Sequence, residues 1–142
     1  MGKKRIVTKK GQASGDKSKS QSFSSKKRVD SGILNIEATY NNTKAVLTDT
    51  KGNVVAKSSS GSLGFKGARK GTPFAAAKVG EDLASKAEAM GLKDVSVIIR
   101  GVGAGRESAM RAFVGKGFNL GSIKDETPVP FNGVKAKKAR RV

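Results

Sequence analysis

The sequence predicts an α/β protein: a mixed sheet in the order βββ-α-β-α-β, flanked by two helices, with basic, extended arms at both ends of the chain. Three observations support this prediction. Three short alternating segments come first, two helical segments follow, each succeeded by a strand, and the chain ends are polar and cationic. Alternation with period two is typical of half-buried strands, and apolar spacing of three and four is typical of amphipathic helices.

Three strands form the first half of the folded region. Residues 32–40 place apolar side chains at every second position, which predicts one buried face: Leu34, Ile36, Ala38 and Tyr40. Residues 44–49 and 54–57 are shorter segments of the same kind. The polar turns between the three segments, at residues 41–43 and 50–53, make the strands a meander.

Two helices and two further strands complete the fold. Residues 74–90 carry an apolar stripe at helical spacing: Ala76, Val79, Leu83, Ala87 and Met90. Thr72 is the expected N-cap, Pro73 fits the first turn, and Gly91 ends the helix. Residues 94–100 are rich in β-branched side chains and predict a central strand. Residues 106–116 predict the second helix, and residues 118–124 predict the last strand.

The composition excludes several kinds of catalytic and metal site and indicates the kind of partner. The 142 residues include no cysteine and no histidine, so thiolate zinc sites, thiol nucleophiles and imidazole acid–base groups are excluded. The net charge of +18 favours an anionic partner, nucleic acid before membrane. Charge and polarity divide the chain into a basic Ser/Lys-rich arm over 1–31, a compact domain over 32–124 and an extended basic tail over 125–142.

The glycine-rich stretch at residues 61–76 is the first candidate site. Its glycines allow the backbone to approach phosphates, Lys66, Arg69 and Lys70 neutralise them, and Phe65 offers a face to an unpaired base. The stretch runs directly into the N-terminus of the first predicted helix. A solvated surface loop is the alternative interpretation of the same composition.

A second glycine loop, residues 101–105, lies between a strand and a helix, as in dinucleotide-binding proteins, and Asp125 lies about where a ribose contact is expected. However, Arg106 stands where the third glycine of that motif is required. We therefore expect free amides from Gly103 to Arg106, together with Arg106 and Arg111, to bind an RNA phosphate. In the alternative interpretation the glycines only allow close packing, and Glu107 pairs with Arg111.

Catalysis by the remaining acids is not expected. Two-metal cleavage needs several carboxylates at one place, and Glu37, Asp49 and Asp94 stand apart in the sequence without motif spacing. We therefore predict that the protein is not an enzyme and holds no metal and no cofactor.

Four stretches in this order resemble one family, the universal small-subunit ribosomal protein eleven family in its bacterial-type form. They are Asn-Asn-Thr at 41–43, GFKGARKGTPFAA at 64–76, GAGRESAMRA at 103–112, and DETPVPFNG at 125–133 with the basic end at 137–142. Phe131 and Val134 depart from the histidine and cysteine that the family usually carries. The resemblance implies a fold similar to ribonuclease H without its active site.

The resemblance also implies a function. Members of the family are structural constituents of the small ribosomal subunit, where they join rRNA helices on the platform and help to form the messenger leader cleft. It implies small-subunit ribosomal proteins seven and eighteen as partners, with initiation factor three a further candidate, in a cytoplasmic ribosome with an organelle ribosome left open. A free-standing basic nucleic-acid chaperone or coating protein is the alternative.

Taken together, composition, motifs and resemblance predict an rRNA-binding surface without catalytic or metal-ligating residues. Its residues are Asn41, Asn42, Lys44, Phe65, Lys66, Gly67, Arg69, Lys70, Thr72, Gly103, Gly105, Arg106, Arg111, Asn132, Gly133, Lys135, Lys137, Lys138, Arg140 and Arg141.

Overall fold

A five-stranded sheet with two helices forms the folded part of the chain. The computed structural model describes residues 28–141, so the predicted arm as far as residue 27 lies outside the described residues. The elements are β1 (Ser31–Ala38), β2 (Thr43–Asp49), β3 (Val54–Ser59), α1 (Pro73–Ala89), β4 (Asp94–Arg100), α2 (Gly105–Val114) and β5 (Asn119–Asp125). The predicted order of strands and helices is confirmed.

The sheet is mixed, as predicted. Its strands lie in the order β3-β2-β1-β4-β5. The meander β1-β2-β3 is antiparallel, whereas β1 pairs with β4, and β4 with β5, in parallel. Leu34 in the central strand β1 lies opposite Leu47 on one side and Val97 on the other. Helices α1 and α2 supply the connections that the parallel pairs require.

The hydrophobic core lies on one face of the sheet, where both helices pack on the strands and on each other. The predicted stripe of α1, from Ala76 to Met90, is buried in this core. Gly80 allows the two helices to approach closely, because a Cβ there would lie 2.4 Å from the carbonyl oxygen of Ala109. The opposite face of the sheet carries exposed or half-buried side chains, among them Asn35 and Ile98.

The end of β1 differs from the prediction. The strand ends at Ala38 rather than at residue 40, so Tyr40 is not on the buried face but 78% exposed. The chain turns at that point because the amide of Thr39 donates to the carbonyl of Asn42 at 2.9 Å. Before β1, the amide of Val29 donates to the carbonyl of Met90 at 3.3 Å, and Val29 packs against the core.

The last strand, β5, is a solvent-exposed edge of the sheet. All seven of its residues are exposed, including Leu120 and Ile123, and within residues 28–141 it pairs only with β4. The neighbouring strand β4 is buried at Val95, Val97 and Ile99, as its β-branched sequence predicts for a central strand. The C-terminal tail therefore leaves the sheet from an edge strand, at the side of the domain.

Candidate nucleic-acid interface

The four motif stretches meet at one edge of the sheet, here named the carboxyl edge, where β1, β4 and β5 end. The turn after β1, the loop after β3, the loop after β4 and the tail after β5 all leave the sheet there, and both helices begin there. Contacts join these segments. The amide of Gly103 donates to the carbonyl of Ala38 at 2.8 Å, and the amide of Ser60 donates to the carbonyl of Thr43 at 3.0 Å.

The turn after β1 presents polar side chains at this edge. The hydroxyl of Thr39 donates to the carbonyl of Asn42 and accepts from its amide, both at 3.1 Å. Asn41 is exposed and Asn42 half-buried. Within residues 28–141, the Asn42 Oδ1 and Thr43 Oγ1 atoms are buried without a hydrogen-bond partner. Lys44 follows on β2 and lies 3.8 Å from the Glu37 carboxylate.

The glycine-rich loop is more regular than its composition predicts. Residues Gly67–Gly71 form a 3-10 helix, which the sequence analysis did not anticipate. Gly64 and Gly67 have φ values of 94° and 61°, the left-handed region that favours glycine. Gly71 has a different role, because a Cβ there would lie 2.2 Å from the carbonyl oxygen of Tyr40. The loop is thereby packed against the turn after β1.

The cations of this loop lie at the surface of the domain. Lys66 and Arg69 are exposed and Lys70 is half-buried. None of the three forms an ion pair with an acidic side chain in the described part of the chain. They also flank the N-terminus of α1, whose first turn carries no acidic residue. The helix dipole and the three charges therefore favour an anion at the same place.

Thr72 joins the loop to α1. Its hydroxyl accepts from the amide of Ala75 at 3.3 Å, which confirms the predicted N-cap, and donates to the carbonyl of Arg69 at 2.7 Å. Pro73 occupies the first turn, as predicted. Because both bonds are internal, Thr72 holds the loop and the helix together.

Two aromatic rings lie beside the basic loop, and the sequence pattern predicted a role for only one of them, Phe65. Phe65 is half-buried and meets Phe74 edge-on, with ring centroids 6.1 Å apart and an interplanar angle of 79°. Phe74 is 65% exposed, and the Lys78 ammonium lies 5.7 Å from its ring centroid. Both rings line an open groove of about 590 Å³. Phe74 could have been identified, since it stands outside the buried stripe of α1.

The second glycine loop is shaped by packing. The expectation that the amide of Gly103 is free is wrong, because this amide donates to Ala38. A Cβ on Gly103 would lie 2.2 Å from the carbonyl oxygen of Thr39, and one on Gly105 would lie 2.4 Å from Thr43 Oγ1. Both glycines are buried. The geometry matches the packing interpretation, in which the glycines allow α2 to begin directly against β1 and β2.

The two arginines of α2 are both engaged with acids. Arg106 bonds to the carboxylate of Asp125, the carbonyl of Gly101 and the hydroxyl of Thr127, and its side chain is 30% exposed. Arg111 lies 3.2 Å from Glu107 one turn earlier, as the packing interpretation expects, and both side chains are largely exposed. Hydrogen bonds from Thr127 and from Arg106 lower the pKa of Asp125 to about 2.

The tail beyond β5 carries the remaining predicted residues. Residues 128–141 are exposed, and Phe131 is 96% exposed. Asn132 adopts a φ of 56°, so the chain turns at the predicted Asn-Gly pair. The turn precedes the five cations of the tail, which are all exposed: Lys135, Lys137, Lys138, Arg140 and Arg141.

Two features are absent from residues 28–141. These residues include no group of three or more acidic side chains placed to hold a metal ion. Across the same range, neither helix has the length and apolar character needed to cross a membrane.

Comparison with known families agrees with this arrangement. A family model described as ribosomal protein S11 matches residues 32–141, which span the sheet, both helices and the tail. This is a family of structural, RNA-binding proteins of the small ribosomal subunit that act in translation. The match covers most of the chain and all four motif stretches at the carboxyl edge and in the tail. The chain belongs to the ribosomal protein S11 family.

Proposed function

We propose that this chain bridges rRNA helices on the platform of the small subunit through its carboxyl edge and tail, and helps to form the messenger leader cleft. The observation that carries the proposal is the convergence of four motif stretches at one edge of the sheet, where the N-terminus of α1 also lies. Helix N-termini and exposed cations both favour phosphate groups.

Bridging follows from the order of the strands. The glycine-rich loop leaves β3 at one side of the sheet, and the tail leaves β5 at the other. Four interstrand spacings separate these two strands, roughly 19 Å at the usual strand separation. Two cationic surfaces at that distance contact different segments of a folded RNA.

The side chains at the two surfaces suggest different kinds of contact. Lys66, Arg69 and Lys70, like the five cations of the tail, are placed for phosphates, whereas the Phe74 ring beside Phe65 is placed for an unpaired base. Polar residues at the turns complete the surface: the exposed Asn41, Gly67, Asn132 and Gly133, and the half-buried Asn42.

The other predicted residues would contribute less directly. Thr72, Gly103 and Gly105 give the edge its shape through internal contacts. Lys44 and Arg111 are exposed beside acidic side chains, and each would exchange that neighbour for a phosphate.

Neighbouring proteins are proposed from the family alone. We propose that ribosomal proteins seven and eighteen contact this chain and that initiation factor three and the messenger leader lie close to it. We further propose that the chain works in a cytoplasmic ribosome. Chemical crosslinking of native small subunits with a short lysine-reactive reagent tests this arrangement. Crosslinks from this chain to proteins seven and eighteen are expected, and crosslinks only to proteins of the opposite side of the subunit would contradict it.

Sedimentation tests the ribosomal role against a free-standing chaperone. The chain should travel with the small subunit in a one-to-one ratio at moderate salt. Substoichiometric association that is lost at moderate salt would indicate a loosely bound nucleic-acid chaperone.

A further inference from the structure

The start of the C-terminal tail is tied to the N-terminus of α2 by a cluster of hydrogen bonds. We infer that Arg106, Asp125 and Thr127 form a clasp that fixes the direction in which the tail leaves the domain. Arg106 then acts on rRNA binding as a positioning residue, through the tail, rather than by touching RNA. This inference rests on the proposed function, because it assumes that the tail contacts rRNA.

The hydroxyl of Thr127 is the centre of the clasp. It donates to Asp125 Oδ1 at 2.6 Å and accepts from the Arg106 guanidinium and from the amide of Gly101, both at 3.2 Å. The amide of Thr127 also donates to Asp125 Oδ1, at 3.0 Å. A hydroxyl has one donor and two acceptor positions, and all three are used here.

The guanidinium of Arg106 closes the clasp from the side of α2. One of its terminal nitrogens bonds to Asp125, and the other bonds to Thr127 and to the carbonyl of Gly101. Three of the five N–H donors of the side chain are therefore used within the protein. Bonds between ionised groups are stronger than neutral ones, so the Arg106–Asp125 contact is the anchor of the cluster.

A second pair of bonds holds the residue between Asp125 and Thr127. The amide of Glu126 donates to the carbonyl of Ile99 at 2.9 Å, and its carboxylate accepts from Arg100 at 2.8 Å. Three consecutive residues at the base of the tail are thus bonded to the end of β4, to the loop after it and to α2. They cannot rotate independently of β4 and α2.

The direction set at the clasp is carried outward by stiff backbone. Pro128 and Pro130 follow directly, and a residue that precedes proline is restricted to extended conformations. The turn at Asn132 and the five cations of the tail come next. A small change of angle at Thr127 would therefore move the cations a long way from their phosphates.

The test uses a substitution whose electrostatic effect has the opposite sign. Asp125→Asn removes a negative charge, so charge alone would strengthen binding to RNA, whereas loss of the clasp weakens it. Thr127→Val removes the hydroxyl with no change of charge. Glu88→Gln is the matched control, because Glu88 is exposed near the end of α1, away from the carboxyl edge.

The measurement is the concentration of full-length protein that half-saturates small subunits reconstituted from rRNA and the other small-subunit proteins. We expect Asp125→Asn and Thr127→Val to raise it about threefold to tenfold, the effect of one or two hydrogen bonds. Glu88→Gln should leave it unchanged or lower it. Unchanged or tighter incorporation of Asp125→Asn would overturn the clasp.

The same substitutions in a chain that ends at Gly133 separate positioning from other roles. The described residues that the shortened chain lacks, 134–141, are all exposed, and its circular dichroism should match that of the full chain. There Thr127→Val should have no effect, and Asp125→Asn should leave the half-saturating concentration unchanged or lower it, because only its effect on charge remains. An equal loss in both chains would mean that the cluster acts on the fold, or through direct contact of Arg106, and would overturn the inference.

The proposed function fails in a different way. If the shortened chain is incorporated with the same affinity as the full chain, the segment beyond Gly133 does not contact rRNA. The proposed function is then wrong for the tail, and the clasp has no cations to position. If the shortened chain is incorporated poorly while Asp125→Asn is neutral in the full chain, only the clasp is wrong.

Discussion

The cations of the glycine-rich loop offer the most quantitative test of the rRNA interface. Replacing Lys66, Arg69 and Lys70 together by alanine removes three positive charges beside the N-terminus of α1. None of the three side chains bonds to an acidic side chain within residues 28–141, so each is available to a phosphate. Binding should weaken while the fold stays intact.

The magnitude follows from counterion release. Each phosphate neutralised by a lysine or arginine contributes about 0.7 to 0.9 to the slope of log K against log salt concentration. Three contacts therefore account for about 2 to 3 units of slope. Stability should change little, because an exposed substitution usually alters the free energy of unfolding by within about 0.5 kcal/mol.

The assay is filter binding of the full chain to small-subunit rRNA at five or six salt concentrations. A matched triple variant, Arg28→Ala with Lys51→Ala and Lys93→Ala, removes the same charge from exposed positions at the opposite edge of the sheet. The loop variant should lose about 2 to 3 units of slope, and the matched variant distinctly less. An unchanged slope, or an equal loss in both variants, would refute the assignment of these cations.

Four further predictions address other parts of the molecule. The pKa of Asp125 is about 2 in the folded chain and 3.8 for an unperturbed aspartate, as in the unfolded chain. The ionised carboxylate therefore stabilises the fold fully above pH 3.8, and this stabilisation declines toward pH 2. Urea unfolding between pH 5 and pH 2 should therefore show a weaker pH dependence for Asp125→Asn than for the unsubstituted chain, and identical profiles would be the contrary result. Gly103→Ala should destabilise the fold by about 1 to 3 kcal/mol in thermal or urea unfolding, because a Cβ there lies 2.2 Å from the carbonyl oxygen of Thr39; a neutral effect would argue against the packing role. Phe74→Ala should weaken rRNA binding by about 1 to 3 kcal/mol and Phe74→Tyr much less, as expected for a stacked base, whereas equal losses would argue against stacking. Trypsin should trim the isolated protein within residues 135–141 and leave the domain, while the same sites resist in assembled subunits; equal trimming in both would contradict burial of the tail.

Local patterns were sufficient to predict the architecture. Every strand and both helices appear in the predicted order because each has a clear period, two or near 3.6, and because Thr72, Pro73 and Gly91 mark the ends of α1. The boundaries shifted by one or two residues. The larger miss, Tyr40, arose because the alternating pattern continues beyond Ala38, where a turn hydrogen bond ends the strand.

The contacts at the candidate site join residues that are distant in the sequence, so the local sequence pattern could not predict them. Arg106 and Asp125 are 19 positions apart, and only the parallel pairing of β4 with β5 brings them together. The 3-10 helix was missed because four glycines within eleven residues suggest freedom, whereas packing of Gly71 against Tyr40 fixes the loop. Gly103 was predicted to bind phosphate because the residue that packs against it, Thr39, is distant in the sequence, so the sequence pattern does not show this contact.

The most direct test of the rRNA interface is a map of the peptides that ultraviolet light crosslinks to rRNA in native small subunits. The account predicts crosslinked peptides from the carboxyl edge and the tail, at residues 39–43, 61–76 and 128–141. Peptides from the opposite edge of the sheet, at residues 50–53 and 91–93, should be absent or rare. Crosslinks concentrated at that opposite edge, with the glycine-rich loop and the tail unmodified, would contradict the interface.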